Sequence, residues 1–165
     1  MKIEIWSDVV CPFCYIGRRR LEQALTQFEH TEDVEIIWRS FQLDPTAPRK
    51  ATESATDMLM KKYGWTREQV ESNHAQLTEQ AAQLGLDFHF EKTRTENTFD
   101  AHRLIHLAAQ HRLQSQMKER LQKAYFTDGL SIGDPDTLIQ LALTVGLPDT
   151  DAPPDADSDP YAGGA

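Results

Sequence analysis

Cysteine is scarce in this chain, and no long apolar run breaks its polar character. The 165 residues include only two cysteines, Cys11 and Cys14. The N-terminal residues M-K-I-E-I-W carry an acid and a very short apolar run, unlike a signal peptide or a transmembrane span. We therefore expect a cytoplasmic protein with no membrane partner. Reducing compartments keep cysteines as free thiols unless the cysteines form a working redox couple. The spacing of the two cysteines therefore matters more than their number.

The chain also lacks a surplus of basic residues. Asp and Glu outnumber Lys and Arg by 26 to 17, for a formal net charge of −9. A nucleic-acid surface usually shows a basic stripe with interleaved aromatic residues, and none is present. We expect no nucleic-acid binding.

Residues 1–43 have the pattern of a strand, a helix and a second strand. Lys2 to Trp6 alternates as a strand does, and Val34 to Phe41 is a second β-rich run. Trp38 joins Trp6 and Phe41 as aromatic residues that fit core positions. A crossover of this length predicts parallel strands. The apolar face of the intervening helix is predicted to comprise Ile16, Leu21, Ala24, Leu25 and Phe28.

Residues 44–147 are dominated by helical patterns whose ends carry physical signals. One helix ends at Gly85, where a left-handed cap forms easily, and Asn97 can cap the next helix. A further helix covers about 113 to 127. The last begins at Asp134, with proline in its first turn. The apolar stripes of the first and last of these helices comprise Val70, Leu77, Ala81, Leu84, Leu138, Leu141, Ala142 and Val145.

Residues 148–165 are built mainly from Asp, Pro, Ala and Gly. Such a segment buries too little apolar surface to offset the entropy lost on ordering, so we predict a disordered acidic tail. The chain thus divides into a strand-helix-strand half-domain at 1–43, a helical insertion at 44–147 and the tail.

The cysteines occur as Cys11-Pro12-Phe13-Cys14, directly after the first strand and at the start of the first helix. This offset brings the two sulfurs within bonding reach, and the free amides and dipole of the helix stabilise a thiolate on Cys11. Cys11 is therefore the predicted nucleophile and Cys14 the resolving thiol. Pro12 suits the first helical position, and Phe13 offers an apolar patch to a substrate.

The cysteines allow two other interpretations. Both cysteines could be small core hydrophobes, although their placement between strand and helix argues against it. His102 and His106 lie one helical turn apart, so a Cys2His2 zinc site depends on the tertiary structure bringing four ligands together. We expect no metal.

Four segments carry a resemblance to a known family. S-D-V-V-C-P-F-C-Y-I-G-R-R-R-L-E, from Ser7 to Glu22, resembles the FrnE-like members of the DsbA family. The likeness continues through W-R-S-F-Q-L-D-P from Trp38, N-T-F-D-A-H-R-L from Asn97 and A-Y-F-T-D-G-L-S-I-G-D from Ala124. The resemblance implies an α/β, thioredoxin-like fold with a large helical insertion. It also implies disulfide exchange between protein or small-molecule thiols, with no cofactor besides the redox-active disulfide and with glutathione as a candidate co-substrate.

The chain departs from this family in two ways. Phe13 stands where a tryptophan is common, which should tune the potential or the substrate contact. Family members also continue into a cis-proline loop, two strands and a final helix, which we interpret as missing from this chain. Lys2 to Trp6 would then keep an unpaired edge, and we expect a homo-oligomer to form through this first strand.

Several polar residues near the motif have alternative roles. Asn97 and His102 are predicted to contact substrate in a groove beside the cysteines, although Asn97 also fits a helix cap. Arg18 to Arg20 are interpreted as a solvated helix face. Asp8 is interpreted mainly as a turn former close to Cys11.

The leading functional hypothesis is a dithiol-disulfide oxidoreductase in which Cys11 attacks a disulfide and Cys14 resolves the mixed disulfide. The resemblance also allows a glutathione-dependent isomerase like 2-hydroxychromene-2-carboxylate isomerase, in which a serine often replaces the first cysteine. A third hypothesis is a non-catalytic peptide-binding fragment that presents only the helical groove.

Overall fold

The strand-helix-strand unit is the first part of the computed structural model, which describes residues 1–148. Strands β1 and β2 pair in parallel, with Lys2 opposite Glu35 and Ser7 opposite Ser40. Both strands and their parallel direction are as predicted. Within the described residues β1 has β2 as its single neighbour, so its other edge is unpaired there. The elements are β1 Lys2–Ser7, α1 Pro12–Thr26, β2 Glu35–Ser40, α2 Ala55–Tyr63, α3 Arg67–Ala82, α4 Phe99–Gln110, α5 Gln114–Lys123 and α6 Pro135–Val145.

The predicted burial of this unit is wrong in part. Of the predicted face of α1, only Ile16 is buried, whereas Ala24 and Phe28 are exposed. Trp6 is 56% exposed and Phe41 is 50% exposed, so neither is a core residue. The physical reason is that the helices cover the N-terminal turn of α1 and leave its second half and the outer sheet face open. Pattern alone cannot distinguish a covered apolar face from an open one.

The helix ends follow their local signals. Gly85 and Gly146 have φ of 73° and 97°, the left-handed conformation that glycine adopts without steric cost. The Asp134 carboxylate accepts the amide of Thr137 at 2.9 Å and caps α6. Asn97 lies one residue before the N-cap of α4, and its Oδ1 accepts the amide of Phe99 at 2.9 Å. Asn97 therefore does bond a free amide at the helix start.

One hydrophobic core joins both parts of the described chain. Val9, Tyr15 and Ile16 belong to the same buried cluster as the apolar faces of α3 to α6. Within it the rings of Phe88 and Phe126 stack with centroids 4.5 Å apart. This shared core fixes the first turn of α1 against the helices. The proposed domain boundaries at residues 43 and 147 stay a prediction.

Three short turns complete the described chain, at Thr31–Asp33, Phe90–Lys92 and Ala124–Asp128, the last a π-helical turn that continues α5. Across residues 1–148, no helix has the length and apolar character that a membrane crossing requires. The predicted disordered tail lies, apart from Pro148, outside the described residues.

Candidate active site

The cysteine pair lies where β1 passes into α1. Cys11 is the N-cap residue of α1, Pro12 is its first residue, and the Cys14 amide donates to the Cys11 carbonyl at 3.1 Å. Both cysteines are half-buried free thiols. Proline fits here because the first helical amide has no partner within the helix. Local sequence therefore sets the geometry of the pair.

Electrostatically the two thiols act as a pair that shares a proton. The hydrogen bond from Cys11 lowers the pKa of Cys14 to about 7, and the same interaction, with burial, raises the pKa of Cys11. The backbone amides of Cys14 and Phe13 act in the opposite direction on Cys11. The hydrogen bond between the thiols favours the negative charge on Cys14, whereas the helix N-terminus favours it on Cys11. The assignment of Cys11 as the nucleophile stays a prediction.

Cys11 opens onto a groove of about 500 Å³. Cys11, Pro12 and Phe13 contribute to its lining, and Cys14 does not. Phe13 is 64% exposed, so it can contact a substrate at the groove. The opposite wall is largely apolar and includes Met58, Leu59, Tyr63, Trp65, Leu77, Phe90 and Phe126. A molecule bound in the groove therefore meets Cys11 first.

Asp8 is buried, lines the groove together with Cys11, and makes more hydrogen bonds than a turn former. Its Oδ1 accepts the amide of Val9 at 2.8 Å and lies 3.0 Å from His102 Nε2. Its Oδ2 accepts the amide of Leu43 at 2.8 Å. Asp8 and His102 are each 1% exposed, so this carboxylate ties β1, the residue 43 loop and α4 together.

Lys118 is the site residue that sequence reasoning missed. It projects from α5, is 1% exposed, and donates a hydrogen bond to Ser7 Oγ. Its ammonium lies 5.1 Å from the centroid of the Trp38 ring. Burial lowers its pKa to about 8, while Cys14 and Asp8 act to raise it. Lysine in a polar helix normally reaches solvent, so no signal in the sequence marked it.

Polar side chains also hold helix α5 against α1. Arg18 is buried, contrary to the prediction of a solvated arginine run, and donates to Glu22 Oε1 at 2.8 Å and Ser115 Oγ at 3.0 Å. Arg19 pairs with Glu119, which also accepts from the Tyr15 hydroxyl at 2.6 Å. Arg20 is exposed, as predicted. The prediction of one solvated face is wrong for Arg18, because three consecutive helical residues point in different directions around α1.

Neither Asn97 nor His102 is among the residues lining the groove. The Asn97 amide donates to the carbonyls of Pro45 and Ala47 at 3.0 and 3.1 Å. His102 lies behind Asp8. The predicted contacts of these two residues with substrate stay predictions. Within residues 1–148, His102 and His106 do not join the cysteines in a cluster of close ligand atoms.

Comparison with known proteins identifies the family of this chain. Residues 2–162 match the DSBA-like thioredoxin domain. The chain belongs to this family. The Bacillus subtilis protein YwbO is 30% identical over 146 residues, which cover 88% of this chain and 66% of that protein. The thioredoxin-like fold inferred from the sequence is thereby confirmed.

Solved structures agree. A probable DsbA oxidoreductase from Streptomyces coelicolor superposes with a TM-score of 0.88 at 37% identity, covering 92% of this chain and 65% of that one. The cytosolic disulfide reductase DsbM from Pseudomonas aeruginosa, solved with glutathione, has a TM-score of 0.58 at 13% identity, covering 89% and 66% respectively; at that identity it supports the fold alone. The chain thus spans just under two thirds of the length of these relatives.

Proposed function

We propose that this chain is a dithiol-disulfide oxidoreductase that uses Cys11 and Cys14. The Cys11 thiolate attacks one sulfur of a substrate disulfide, and the other sulfur leaves as a thiolate that takes up a proton. Cys14 then attacks Cys11 Sγ, the mixed disulfide breaks, and the second substrate sulfur leaves with its electron pair. The substrate disulfide is reduced and the cysteine pair is oxidised. Excess dithiol drives the same steps in reverse, so that the dithiol is oxidised and the cysteine pair is reduced.

The observation that carries this proposal is the unequal placement of the two sulfurs. Cys11 lines the groove, whereas Cys14 is not among the lining residues. A nucleophile must be reachable by substrate, and a resolving thiol needs only to reach its partner. The shared proton supports the assignment too. The pair loses one proton near pH 7, because the pKa of Cys14 is lowered to about 7, and that charge can pass to Cys11 when its proton moves across.

The groove suggests what the substrate looks like. Its mainly apolar lining favours disulfides flanked by apolar groups, from proteins or small molecules. Glutathione is the proposed thiol that restores the reduced pair, in keeping with the cytosolic DsbM relative solved with glutathione. We further propose a cytoplasmic location and a FrnE-like subtype. Self-association through the edge of β1 stays a prediction.

Insulin reduction in the presence of dithiothreitol tests the proposal, with each cysteine changed in turn. Cys11→Ser should lower turnover to the uncatalysed rate, because the hydroxyl cannot form the mixed disulfide. Incubated with insulin in the absence of dithiothreitol, Cys14→Ser should accumulate mixed disulfides with substrate, visible as added mass that later addition of dithiothreitol removes. Ser72→Ala, an exposed change on α3, serves as the control and should leave turnover unchanged.

Four outcomes would contradict the proposal. Full activity in Cys11→Ser would remove its nucleophile, and adducts trapped on Cys11→Ser rather than Cys14→Ser would reverse the two roles. Glutathione-dependent isomerisation of a 2-hydroxychromene-2-carboxylate without insulin reduction would favour the isomerase. Binding of unfolded peptide without either reaction would favour the non-catalytic fragment.

A further inference from the structure

The side of the cysteine pair away from the groove holds a buried cation that the exchange steps above do not use. Lys118 is 1% exposed, and its direct hydrogen-bond partner is the hydroxyl of Ser7 at the end of β1. Burying an ammonium group is costly unless a negative charge or several acceptors replace water. A single hydroxyl and the face of Trp38 compensate only part of that cost.

The packing of α5 on α1 directs Lys118 toward Cys14. Tyr15, which follows Cys14, bonds Glu119, which follows Lys118. One turn later in α1 and one turn earlier in α5, Arg18 bonds Ser115. Residues three or four apart share a helix face, so Cys14 and Arg18 lie on one face of α1 opposite Ser115 and Lys118 on α5. Two flanking contacts thus hold the lysine and the thiol across one interface.

The charges around Lys118 come from each element packed against it. Cys11 and Cys14 attract the ammonium, as does Asp8, and Arg18 repels it. The Asp8 carboxylate is already occupied by two amides and His102, and no ion pair links it to Lys118 among the described residues. A Cys14 thiolate is therefore the negative charge that Lys118 lacks.

We propose that Lys118 is a positioning residue for thiol-disulfide exchange, whose ammonium holds Cys14 as a thiolate. In the resolving step the Cys14 thiolate attacks Cys11 Sγ, the Cys11–substrate bond breaks, and the substrate sulfur leaves with the electron pair. The proton that Cys14 gives up goes to water when Lys118 is charged, or to Lys118 when its amine is neutral. The effect of Lys118 on disulfide exchange rests on the proposed function, whereas the interaction between its ammonium and the Cys14 thiolate does not.

The redox equilibrium should respond in a defined direction. The ammonium stabilises the reduced pair, which carries the thiolate, and is left without that countercharge in the disulfide. Removing the charge therefore favours the disulfide, and the pair becomes a weaker oxidant. A role limited to packing would not move this equilibrium when a side chain of similar length replaces lysine.

The first test compares Lys118→Met, Lys118→Arg and the control Lys123→Met, an exposed lysine on the same helix. Each is combined with Cys11→Ser, so that the pH dependence of alkylation reports the Cys14 thiol alone. We expect Lys118→Met to lower the acid dissociation constant of the Cys14 thiol about tenfold, the shift that loss of a close opposite charge produces. Lys118→Arg should recover most of it, and Lys123→Met should change nothing.

In the chain with both cysteines, equilibration with glutathione buffers at a pH well above the pKa of Cys14 should show Lys118→Met favouring the disulfide about tenfold, or about 30 mV for a two-electron couple. Unchanged alkylation and unchanged equilibrium in a folded Lys118→Met would overturn the proposal. Equal losses in Lys118→Met and Lys118→Arg would also overturn it, since they indicate packing. Altered alkylation in a chain that exchanges no disulfide would support the role of Lys118 and contradict the proposed function instead.

A second measurement needs no substitution at Lys118. In a chain labelled with ¹³C at the lysine ε-carbons, the buried lysine should titrate below the exposed ones. Its pKa should be higher in the reduced protein than in the oxidised protein, because only the reduced pair offers a thiolate. Identical titration in the two redox states would refute the proposal even where Lys118→Met fails to fold.

Discussion

The two sides of the cysteine pair differ in almost every physical property. On the Cys11 side lies an open groove whose wall is largely apolar, with Trp65 39% exposed. On the Cys14 side, His102 and Lys118 are each 1% exposed; His102 bonds Asp8, which also lines the groove, and Lys118 bonds Ser7 at the end of β1. Substrate can reach the first side, and the protein controls charge on the second. The spacing of the two cysteines allows this division. Cys11 is the N-cap residue of α1 and lines the groove, whereas Cys14 lies inside the first turn and does not.

The largest effect that separates the two sides should come from Asp8→Ala. This change leaves the amides of Val9 and Leu43 without their acceptor and removes one hydrogen-bond partner of His102. Buried groups left unpaired cost about 1–3 kcal/mol each, so we expect the free energy of unfolding to fall by about 3 kcal/mol or more. Urea unfolding measures it.

Asp87→Ala is the matched control, since that carboxylate is 73% exposed and pairs with His89 at the surface. Exposed pairs are worth about 0–1 kcal/mol, and we expect a loss within that range. Asp8→Asn should fall between the two, because its amide oxygen can still accept. If Asp8→Ala and Asp87→Ala lowered the free energy of unfolding by similar small amounts, the hydrogen bonds of Asp8 would not stabilise the fold as argued.

A smaller effect, confined to substrate binding, should come from Trp65→Ala on the groove side. Losing a half-exposed aromatic contact costs about 1–2 kcal/mol of binding, which corresponds to a KM about five- to thirtyfold higher for an apolar disulfide. The turnover of a small polar disulfide should not change. Steady-state kinetics with both substrates measures the difference.

Phe28→Ala tests the specificity of that result, because Phe28 is 45% exposed but does not line the groove. We expect its KM to match that of the unmodified chain. An equal rise in both variants, or none in Trp65→Ala, would argue that apolar substrates do not occupy the groove.

The smallest effect concerns pH and a histidine on each side. Burial lowers the pKa of His74, which stacks on Phe90 at 4.1 Å beside the groove. It also lowers the pKa of His106, which lies 2.9 Å from Ser40 Oγ. A lowered pKa means that the unfolded chain binds the proton first. Both residues should therefore reduce stability as the pH falls below about 6.5, the ordinary value for histidine.

Unfolding free energies between neutral and mildly acidic pH, measured for His74→Gln and His106→Gln, check this prediction. Each glutamine should flatten the decline with acidification. A steeper decline in either variant would mean that the histidine it replaces binds its proton more tightly in the folded state, opposite to the direction argued from burial.

Much of this architecture could be predicted because it depends on local signals. The parallel pair β1 and β2 followed from residue alternation and crossover length. The ends of α3 and α6 followed from Gly85, Asp134 and Gly146, whose backbone or capping roles involve only neighbouring residues. The site was located for the same reason, since a cysteine pair in the first turn of a helix is a local arrangement.

Burial could not be predicted in the same way. Phe28 and Trp6 have the hydrophobicity of core residues, yet both are exposed. Arg18 and Lys118 have the charge of surface residues, yet both are buried. Whether a side chain is covered depends on which element packs over it, and that element is distant in sequence.

The sequence by itself determined that two thiols lie in the first turn of α1, because helix geometry and the free amides of its N-terminus follow from neighbouring residues. Only the tertiary structure decided which of the two cysteines lines the groove and which experiences the charge of Lys118. Lys118 lies 104 positions beyond Cys14 in the chain, and electrostatic interactions act through space between groups that folding brings together and removes from water.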